Sequence, residues 1–245
     1  MSVTEVAERA QASEAAVVKL CQEVGASGFQ QLKISLAQEL VQPIQFIHED
    51  LERDDPVETV IQKIFHADIA ALQATLSVLD PDAMRRAVRI ISESERVEVY
   101  GIGSSAPIAE DAYYRLLRIG LNAKVATDSH VQAISASLTG PGVAVLTISH
   151  SGATHETVAA TRLAKEAGAK TICITNFGKT PIQAYTDVVL STSARETRFR
   201  TEAMASRIAQ LCIVDSLVAC LALLRYEQAV ETIQKTSEVL SIKRF

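Results

Sequence analysis

From residue 96 onward, short apolar segments rich in β-branched residues alternate with longer segments whose apolar residues recur at helical spacing. The strand-like segments are "RVEVYGIG", "LNAKVAT", "GVAVLTIS", "AKTICITN" and "DVVLST". Strands that alternate with helices indicate βαβ units, in which the strands run parallel. The pattern therefore predicts an α/β fold, with a doubly wound, five-stranded parallel sheet that has helices on both faces.

The first 42 residues show a different pattern, that of short helices separated by sharp turns. The predicted helices are "TEVAERA", "EAAVVKLCQEVG" and "FQQLKISLAQEL". Val6 and Ala10 are expected to share a face of the first helix, while Ser13 caps the second helix and Gly25 ends it. The predicted apolar face of the second helix consists of Val17, Leu20, Cys21 and Val24. A small all-α segment thus precedes the sheet.

These patterns divide the chain into four parts. We expect a small helical domain over 1–42, a linker and linker helix over 43–80, the α/β domain over 81–225 and a C-terminal helix over 226–245. The linker begins with the acidic stretch "VQPIQFIHEDLERDDP", which two prolines bound.

Composition restricts the function classes that are open to the chain. A net charge of −5 argues against a general nucleic-acid coat, and an aromatic content of 4% without tryptophan argues against stacking platforms for single strands. The four cysteines lack C-x-x-C spacing and are expected to be small buried hydrophobes: Cys21, Cys173, Cys212 and Cys220. We predict no metal and no cofactor. Without a signal peptide or an uninterrupted apolar run of bilayer length, we expect a cytoplasmic protein that does not enter a membrane.

Two loops that follow predicted strands are rich in hydroxyl groups. The first, "YGIGSSA", contains Ser104 and Ser105, and the second, "TISHSGATHET", contains Gly152 among three hydroxyl-bearing residues, Ser149, Ser151 and Thr154. Ligands of open parallel sheets bind at the carboxyl ends of the strands. Free backbone N–H groups, the positive end of a helix dipole and hydroxyls together form an uncharged cradle for a dianion. We therefore predict a phosphate site at these loops.

Two other interpretations of the loops remain open on the residues alone. Both loops precede helices, so their hydroxyls can be simple helix caps. Gly101, Gly103 and Ala106 also satisfy the G-x-G-x-x-A dinucleotide fingerprint. Asp128, after the next strand, gives that interpretation weak support, and a dinucleotide site gives no reason for a second hydroxyl-rich loop.

The stretches "GIGSSAPIAEDAYYRLLRIG", "TDSHVQAISASL", "TISHSGATHET" and "TEAMASRIAQLCIVDSL" resemble the sugar isomerase (SIS) domain, a phosphosugar-binding module. The resemblance covers roughly residues 81–225, and the S-x-S-G-x-T pattern at 149–154 is its most specific element. The preceding residues, above all "GFQQLKISLAQEL", are similar to the helix-turn-helix of RpiR-type bacterial transcriptional regulators. The two resemblances occur in that family's order. They imply that the small all-α segment over 1–42 is a partial helix-turn-helix DNA-binding domain and that 81–225 is a SIS phosphosugar-binding domain.

The resemblance implies roles for particular residues. The phosphate would be held by Ser104, Ser105, Ser149, Ser151 and Thr154, around Gly152. The sugar's hydroxyl or amide groups would be met by His130 and Glu202. The predicted recognition helix spans 14–24 and would enter the major groove with its N-terminal end. The residues nearest the DNA would be Ser13, Glu14, Val17, Val18 and Lys19.

We therefore expect a DNA-binding transcriptional regulator of carbohydrate metabolism that has no catalytic residue. Its partners would be a phosphorylated sugar effector, a double-stranded operator and further copies of itself, in a homodimer or homotetramer. An N-acetyl-hexosamine 6-phosphate is favoured because His130 can meet an acetamido group, although other hexose phosphates and keto-deoxy-phosphogluconate also fit. The alternative is a phosphosugar isomerase or phosphosugar-binding protein without DNA binding.

The charge of the first 42 residues bears on this choice. This segment has three basic and five acidic residues, so it offers few cations for binding DNA phosphates. The family's pattern also has a further helix before "SVTEVA". We expect either that Met1 is an internal methionine of a longer protein or that DNA binding is impaired.

Overall fold

The computed structural model describes residues 2–24, 26, 28, 29, 31, 32, 51–194 and 204–241, and of residues 204 and 205 only the backbone. The predicted helix "FQQLKISLAQEL", the helix-ending Gly25, the first part of the linker and Glu202 therefore lie wholly or mostly outside the described residues. The chain divides into two compact units, Met1–His48 and Glu49–Phe245. Each is described by itself.

The first unit contains two short helices joined by a tight turn, as predicted. Helix α1 spans Val3–Arg9 and α2 spans Glu14–Glu23. The Ser13 hydroxyl accepts a hydrogen bond from the Ala16 N–H at 3.2 Å, which confirms the predicted N-cap of α2. In the turn, Gln11 has a φ of +50°, a left-handed conformation that more often falls to glycine.

A small core holds these two helices together. Its buried members are Ala7, Val17 and Cys21, and partly buried apolar side chains surround them: Val3, Val6, Ala26, Phe29 and Leu32. Of the pair predicted to share a face of the first helix, Val6 is partly buried against this core, whereas Ala10 is the exposed C-cap of α1. Half of the predicted apolar face of α2 is also exposed, with Leu20 at 56% and Val24 at 57%.

The second unit contains the predicted five-stranded sheet. Its strands are β1 Arg96–Tyr100, β2 Ala123–Ala126, β3 Val143–Ile148, β4 Lys170–Asn176 and β5 Val188–Thr192. Its helices are α3 Val57–Val78, α4 Pro81–Glu93, α5 Ala106–Arg118, α6 Ser129–Ser137, α7 His155–Glu166, α8 Met204–Leu224 and α9 Tyr226–Ser241. Every neighbouring pair of strands is parallel, in the order β2-β1-β3-β4-β5.

Helices cover both faces of this sheet, which confirms the predicted doubly wound architecture. On one face, α4, α5 and α8 pack over a large core that takes Val97 and Val99 from β1. On the other face, α6 and α7 pack over a smaller core that takes Tyr100 from β1. Successive strand residues point to opposite faces, so each strand supplies both cores. All six residues of β3 are buried, as expected for a central parallel strand.

The helix predicted as a linker helix packs as part of this second unit. Helix α3 contacts α8 and β5, and the Ser193 N–H donates to the buried Thr75 hydroxyl at 2.9 Å. The C-terminal helix α9 also packs against the unit, since Ala229 belongs to the large core. The fold of the second unit thus begins well before residue 81.

Helix α8 bears on two expectations from the sequence, the lack of a membrane-spanning segment and the burial of the cysteines. Among the described helices, Ser206–Leu224 is the one that is long and apolar enough to cross a membrane by length and composition. Of that stretch, 33% is buried. In this fold the helix packs on the sheet, with Ile213 and Leu217 in the large core. Cys212 and Cys220 lie on its exposed side, so only Cys21 and Cys173 are buried as predicted.

Candidate functional site

The two hydroxyl-rich loops meet at the point where the strand order reverses. The chain leaves β1 toward β2 on one side and leaves β3 toward β4 on the other, so the two connections diverge and open a crevice between them. Tyr100 at the end of β1 pairs in register with Thr147 near the end of β3. The loops that follow, 101–106 and 149–154, therefore begin side by side at the carboxyl edge of the sheet.

The first loop is compact because glycines allow the chain to fold back on itself. A Cβ on Gly101 would lie 2.6 Å from the Ser105 carbonyl oxygen and 2.9 Å from the Ala109 Cβ, and Gly103 has a φ of +58°. A short 3-10 turn over Gly103–Ser105 then leads directly into α5. Ser104 is exposed, whereas Ser105 is buried at the start of the helix.

The second loop uses its hydroxyls for more than helix capping. Thr154 occupies the N-cap position of α7, yet its side chain makes no capping hydrogen bond. The Ser151 hydroxyl accepts from the Ala153 N–H at 3.2 Å, within the loop itself. Ser149 is buried, and its N–H donates to the Ile174 carbonyl at 3.0 Å, which extends the pairing of β3 with β4. At least one hydroxyl of the loop is therefore left for a ligand.

Gly152 has the most constrained position in this loop. Its φ is +57°, and a Cβ there would lie 2.6 Å from the Thr180 Cβ and hydroxyl and 2.7 Å from the Thr175 hydroxyl. Glycine is required here both by the left-handed backbone and by the space. The loop can therefore keep its backbone N–H groups at the helix start.

The end of β4 and the segment that follows it form hydrogen bonds to the second loop that were not predicted from the sequence. The Asn176 N–H donates to the His150 carbonyl at 3.0 Å, and the Thr175 hydroxyl donates to the same oxygen at 3.2 Å. The Ile182 N–H donates to the Gly152 carbonyl at 3.0 Å. Such bonds fix the loop before any ligand arrives, which lowers the entropic cost of binding.

The charge of the two loops suits a dianion. Neither 101–106 nor 149–154 contains a lysine, an arginine or a carboxylate. Both loops lead into helix N-termini, where the helix dipole favours a negative group. At the start of α5 the Ala106 N–H already donates to the Gly103 carbonyl and the next residue is a proline, so these two residues offer no free N–H. The hydroxyls and the helix dipoles give the two loops an uncharged lining that can accept an anion.

His130 lies on the same edge of the sheet, in the first turn of α6. Asp128 caps this helix by accepting hydrogen bonds from the His130 N–H at 2.9 Å and the Val131 N–H at 3.0 Å. The His130 side chain is exposed. The buried Gln132 donates to the Ala126 carbonyl at 2.8 Å, an oxygen that also accepts from the first loop's Gly101 N–H at 3.4 Å. This shared carbonyl ties the start of α6 to the first loop.

A buried carboxylate in β1, Glu98, was also not predicted from the sequence. Glu98 accepts hydrogen bonds from the Tyr100 hydroxyl at 2.7 Å and from Ser135, and Arg96 pairs with it at 2.8 Å. Burial, reinforced by the hydrogen bond to Glu98, raises the pKa of the Tyr100 phenol well above its usual value. All three partners satisfy the carboxylate, so the cluster joins β1 to α6 and offers no free acid or base.

In the first unit, the predicted DNA-contacting residues differ in exposure. Lys19 is well exposed and lies 4.0 Å from Glu23, while the Glu14 carboxylate accepts from the Thr4 hydroxyl at 2.6 Å. Val17 is only 7% exposed and packs in the small core, so its assignment to the DNA-contacting set was wrong. The side chain that faces the core of the unit cannot also face a DNA groove.

Comparisons with known proteins agree with this geometry. Residues 90–220 match the SIS domain, and residues 1–43 match the helix-turn-helix domain of the rpiR family. The fold and the loops thus define a SIS-domain protein with an N-terminal helix-turn-helix.

Curated relatives narrow the class to one family. The HTH-type transcriptional regulator TTE0211 of Caldanaerobacter subterraneus subsp. tengcongensis is 36% identical over 244 residues, which cover 100% of this chain and 86% of that relative. The HTH-type transcriptional regulator RpiR of Escherichia coli K12 is 34% identical over 239 residues, which cover 98% of this chain and 81% of that protein. The chain belongs to the RpiR family of HTH-type transcriptional regulators.

Solved structures show the same architecture. The Vibrio vulnificus NanR protein complexed with ManNAc-6P is 28% identical, with a TM-score of 0.72, over 100% of this chain and 87% of that one. The sugar isomerase domain of an RpiR transcription factor from Sphaerobacter thermophilus is 25% identical, with a TM-score of 0.68, over 73% of this chain and 98% of that one.

Glycine-to-alanine variants at two positions of the site and at one control position, Gly140, test the loop geometry in three steps. Gly140→Ala should leave the free energy of unfolding unchanged or raise it by up to about 1 kcal/mol, because Gly140 lies in open space. Gly103→Ala adds left-handed strain alone and should cost about 1 kcal/mol. Gly152→Ala adds overlap with Thr180 and should cost about 2–4 kcal/mol, as measured by urea unfolding. Equal costs at Gly103 and Gly152 would contradict the tight contact.

Proposed function

We propose that this RpiR-family regulator senses a phosphorylated sugar, whose phosphate binds in the crevice between the loops 101–106 and 149–154. The observation that carries the proposal is the pairing of two hydroxyl-rich loops at a topological switch point, both leading into helix N-termini. NanR, which is similar over the whole of this chain, was solved in complex with ManNAc-6P. Ser104, Ser105, Ser149, Ser151 and Thr154 would hold the phosphate.

The sugar ring would extend from the phosphate toward the start of α6. His130 is exposed there, and its imidazole can donate or accept a hydrogen bond. An acetamido or hydroxyl group suits such a partner, so an N-acetyl-hexosamine 6-phosphate is our first candidate. Glu202 is our second candidate for a sugar contact.

The regulator would act as a dimer in the cytoplasm, where it can reach chromosomal DNA. Along α3, exposed apolar side chains recur mostly every fourth residue and form one stripe: Val57, Ile61, Phe65, Ile69 and Leu76. Contiguous exposed apolar surface of this kind marks an interaction site. We assign the stripe to a second copy of this chain, since RpiR-family DNA reading by paired helix-turn-helix units needs two copies.

Sugar binding would then change DNA binding by a population shift. An effector that binds one arrangement of the dimer more tightly than another stabilises that arrangement by its difference in binding free energy. Two recognition helices must lie about one helical turn of DNA apart, so a change in their spacing changes operator affinity.

Removing hydroxyls of the second loop tests the phosphate site. At an effector concentration of about 100 Kd, binding stabilises a protein by about 2.7 kcal/mol, which thermal unfolding detects. The double variant Ser149→Ala/Ser151→Ala should lose the stabilisation by N-acetylmannosamine 6-phosphate, whereas Ser92→Ala, on the exposed surface of α4, should keep it. An unchanged shift in the double variant would contradict the site.

Changing the α3 stripe tests the dimer. Phe65 is 67% exposed, so Phe65→Asp places a charge in the interface without emptying a core. Light scattering should show the mass fall to that of one chain, 26.5 kDa. Leu138→Asp makes the same kind of change at the C-cap of α6, where Leu138 is 72% exposed, and should leave the assembly intact. A Phe65→Asp variant that keeps the wild-type mass would rule out this interface.

Lys19 tests the DNA-reading helix. Lys19→Ala should weaken binding to a duplex selected by the wild-type protein, and should reduce the slope of log K against log salt by about 1, because one phosphate contact is lost. Lys235→Ala removes the same charge from the exposed surface of α9 and should leave the slope unchanged. Sugar binding should be equal in both variants. A wild-type protein that selects no duplex would contradict the regulator function.

A further inference from the structure

The segment between β4 and the next 3-10 turn adds a third side to the crevice. We call Phe177–Thr180 the β4 loop. It follows Asn176 at the carboxyl edge of the sheet and leads into the 3-10 turn Pro181–Tyr185. Its ends are tied to the second phosphate loop, since the N–H groups of Asn176 and Ile182 donate to the carbonyls of His150 and Gly152. The β4 loop therefore lies directly beside the proposed phosphate.

Within the β4 loop, Thr180 contacts the second phosphate loop most closely. Its Cβ and its hydroxyl both lie 2.6 Å from the point where a Gly152 side chain would begin. The hydroxyl is buried and has no hydrogen-bond partner among the described residues. Thr180 also precedes the 3-10 turn without capping it through its side chain. A buried hydroxyl without a partner is costly, so a ligand oxygen next to Gly152 would satisfy it.

Lys179 stands immediately before Thr180. Neighbouring Cα atoms are about 3.8 Å apart, so the long Lys179 side chain starts beside the cradle and is able to reach it. Lys179 is exposed, and within the part of the chain that the structure describes its ammonium makes no ion pair. The two phosphate loops contain neither lysine nor arginine, and among the described residues of the loops that follow strands at this edge, Lys179 is the one cation.

We propose that the β4 loop is a third wall of the effector site, in which the Lys179 ammonium pairs with the phosphomonoester and the Thr180 hydroxyl donates to one of its oxygens. This inference rests on the proposed phosphosugar function and names two residues that it does not include. A hydrogen bond between an ammonium and a phosphate is about twice as strong as one between neutral groups. Lys179 would thus add affinity for the charged end of any sugar phosphate, whichever sugar it carries.

The matched control is Lys170, which begins the same strand. Lys170 is also exposed and starts β4, so it lies about 20 Å away, at the opposite edge of the sheet. Replacing either lysine with glutamine removes one positive charge from the full-length protein. Only the Lys179 variant removes it beside the crevice.

The experiment measures binding of N-acetylmannosamine 6-phosphate, glucose 6-phosphate and inorganic phosphate by calorimetry at 50 and about 200 mM salt. Lys179→Gln should weaken each detected affinity by about tenfold and reduce its dependence on salt. Lys170→Gln should stay within about twofold of wild type, because its charge lies beyond the screening distance. Thr180→Val should weaken binding, and Thr180→Ser should restore it.

The outcomes separate this inference from the function on which it rests. A wild-type protein that binds none of the three probes contradicts the proposed function. Wild-type binding together with equal affinities for the Lys179→Gln and Lys170→Gln variants overturns the inference and leaves the function in place. Both lysines are exposed, so the two variants should unfold at the wild-type temperature, and this comparison stands even if Thr180→Val fails to fold.

Discussion

The pairing of β1 with β3 at the centre of the sheet is the contact on which the site depends. The last residue of β1, Tyr100, and the first residue of β3, Val143, are 43 positions apart in sequence, yet the two strands lie side by side and parallel. The loops that follow these strands therefore start at the same edge of the sheet and diverge from there. Burial of β3 on both faces keeps this pairing in a single register. With the loops fixed at their roots, glycine at position 152 and the bonds from the β4 segment fix the second loop itself.

This arrangement explains why an uncharged cradle suits a regulator. In the proposed site, hydroxyls and backbone N–H groups would bind the phosphate through hydrogen bonds, and the exposed Lys179 would add electrostatic attraction from the edge of the crevice. The one buried carboxylate nearby, Glu98, already has three partners. Glu98 therefore holds β1 and α6 together, and the proposed binding of an anion relies on the hydroxyls and backbone N–H groups of the two loops.

Much of the α/β unit was predictable from the sequence, because its signals are local. Each strand ends in a polar or glycine-containing loop, and the alternation with helices determines that the strands are parallel. Ser13 was predicted as a cap from its place before an apolar helical run, and the hydrogen bond to Ala16 confirms it. The same reasoning placed the two hydroxyl-rich loops side by side, since the carboxyl ends of parallel strands lie on one edge, whereas their binding of phosphate stays a prediction.

The remaining features depend on contacts that are distant in sequence. Val17 faces inward because Ala7 from another helix packs on it, and spacing within α2 alone did not distinguish that face from the DNA face. Cys212 is exposed because only one side of α8 meets the sheet, although the whole helix is apolar. The β4 loop was not predicted because the contact of Thr180 with Gly152 joins residues that are 28 positions apart in sequence.

The central claim is that the phosphate of the effector binds at the switch point between β1 and β3. Amide chemical shifts of the full-length protein, followed while N-acetylmannosamine 6-phosphate is added and compared with unphosphorylated N-acetylmannosamine, test it most directly. We predict that the largest phosphate-dependent shifts fall on residues 101–106 and 149–154. Large shifts confined to other surfaces, with these two loops unchanged, would contradict the account.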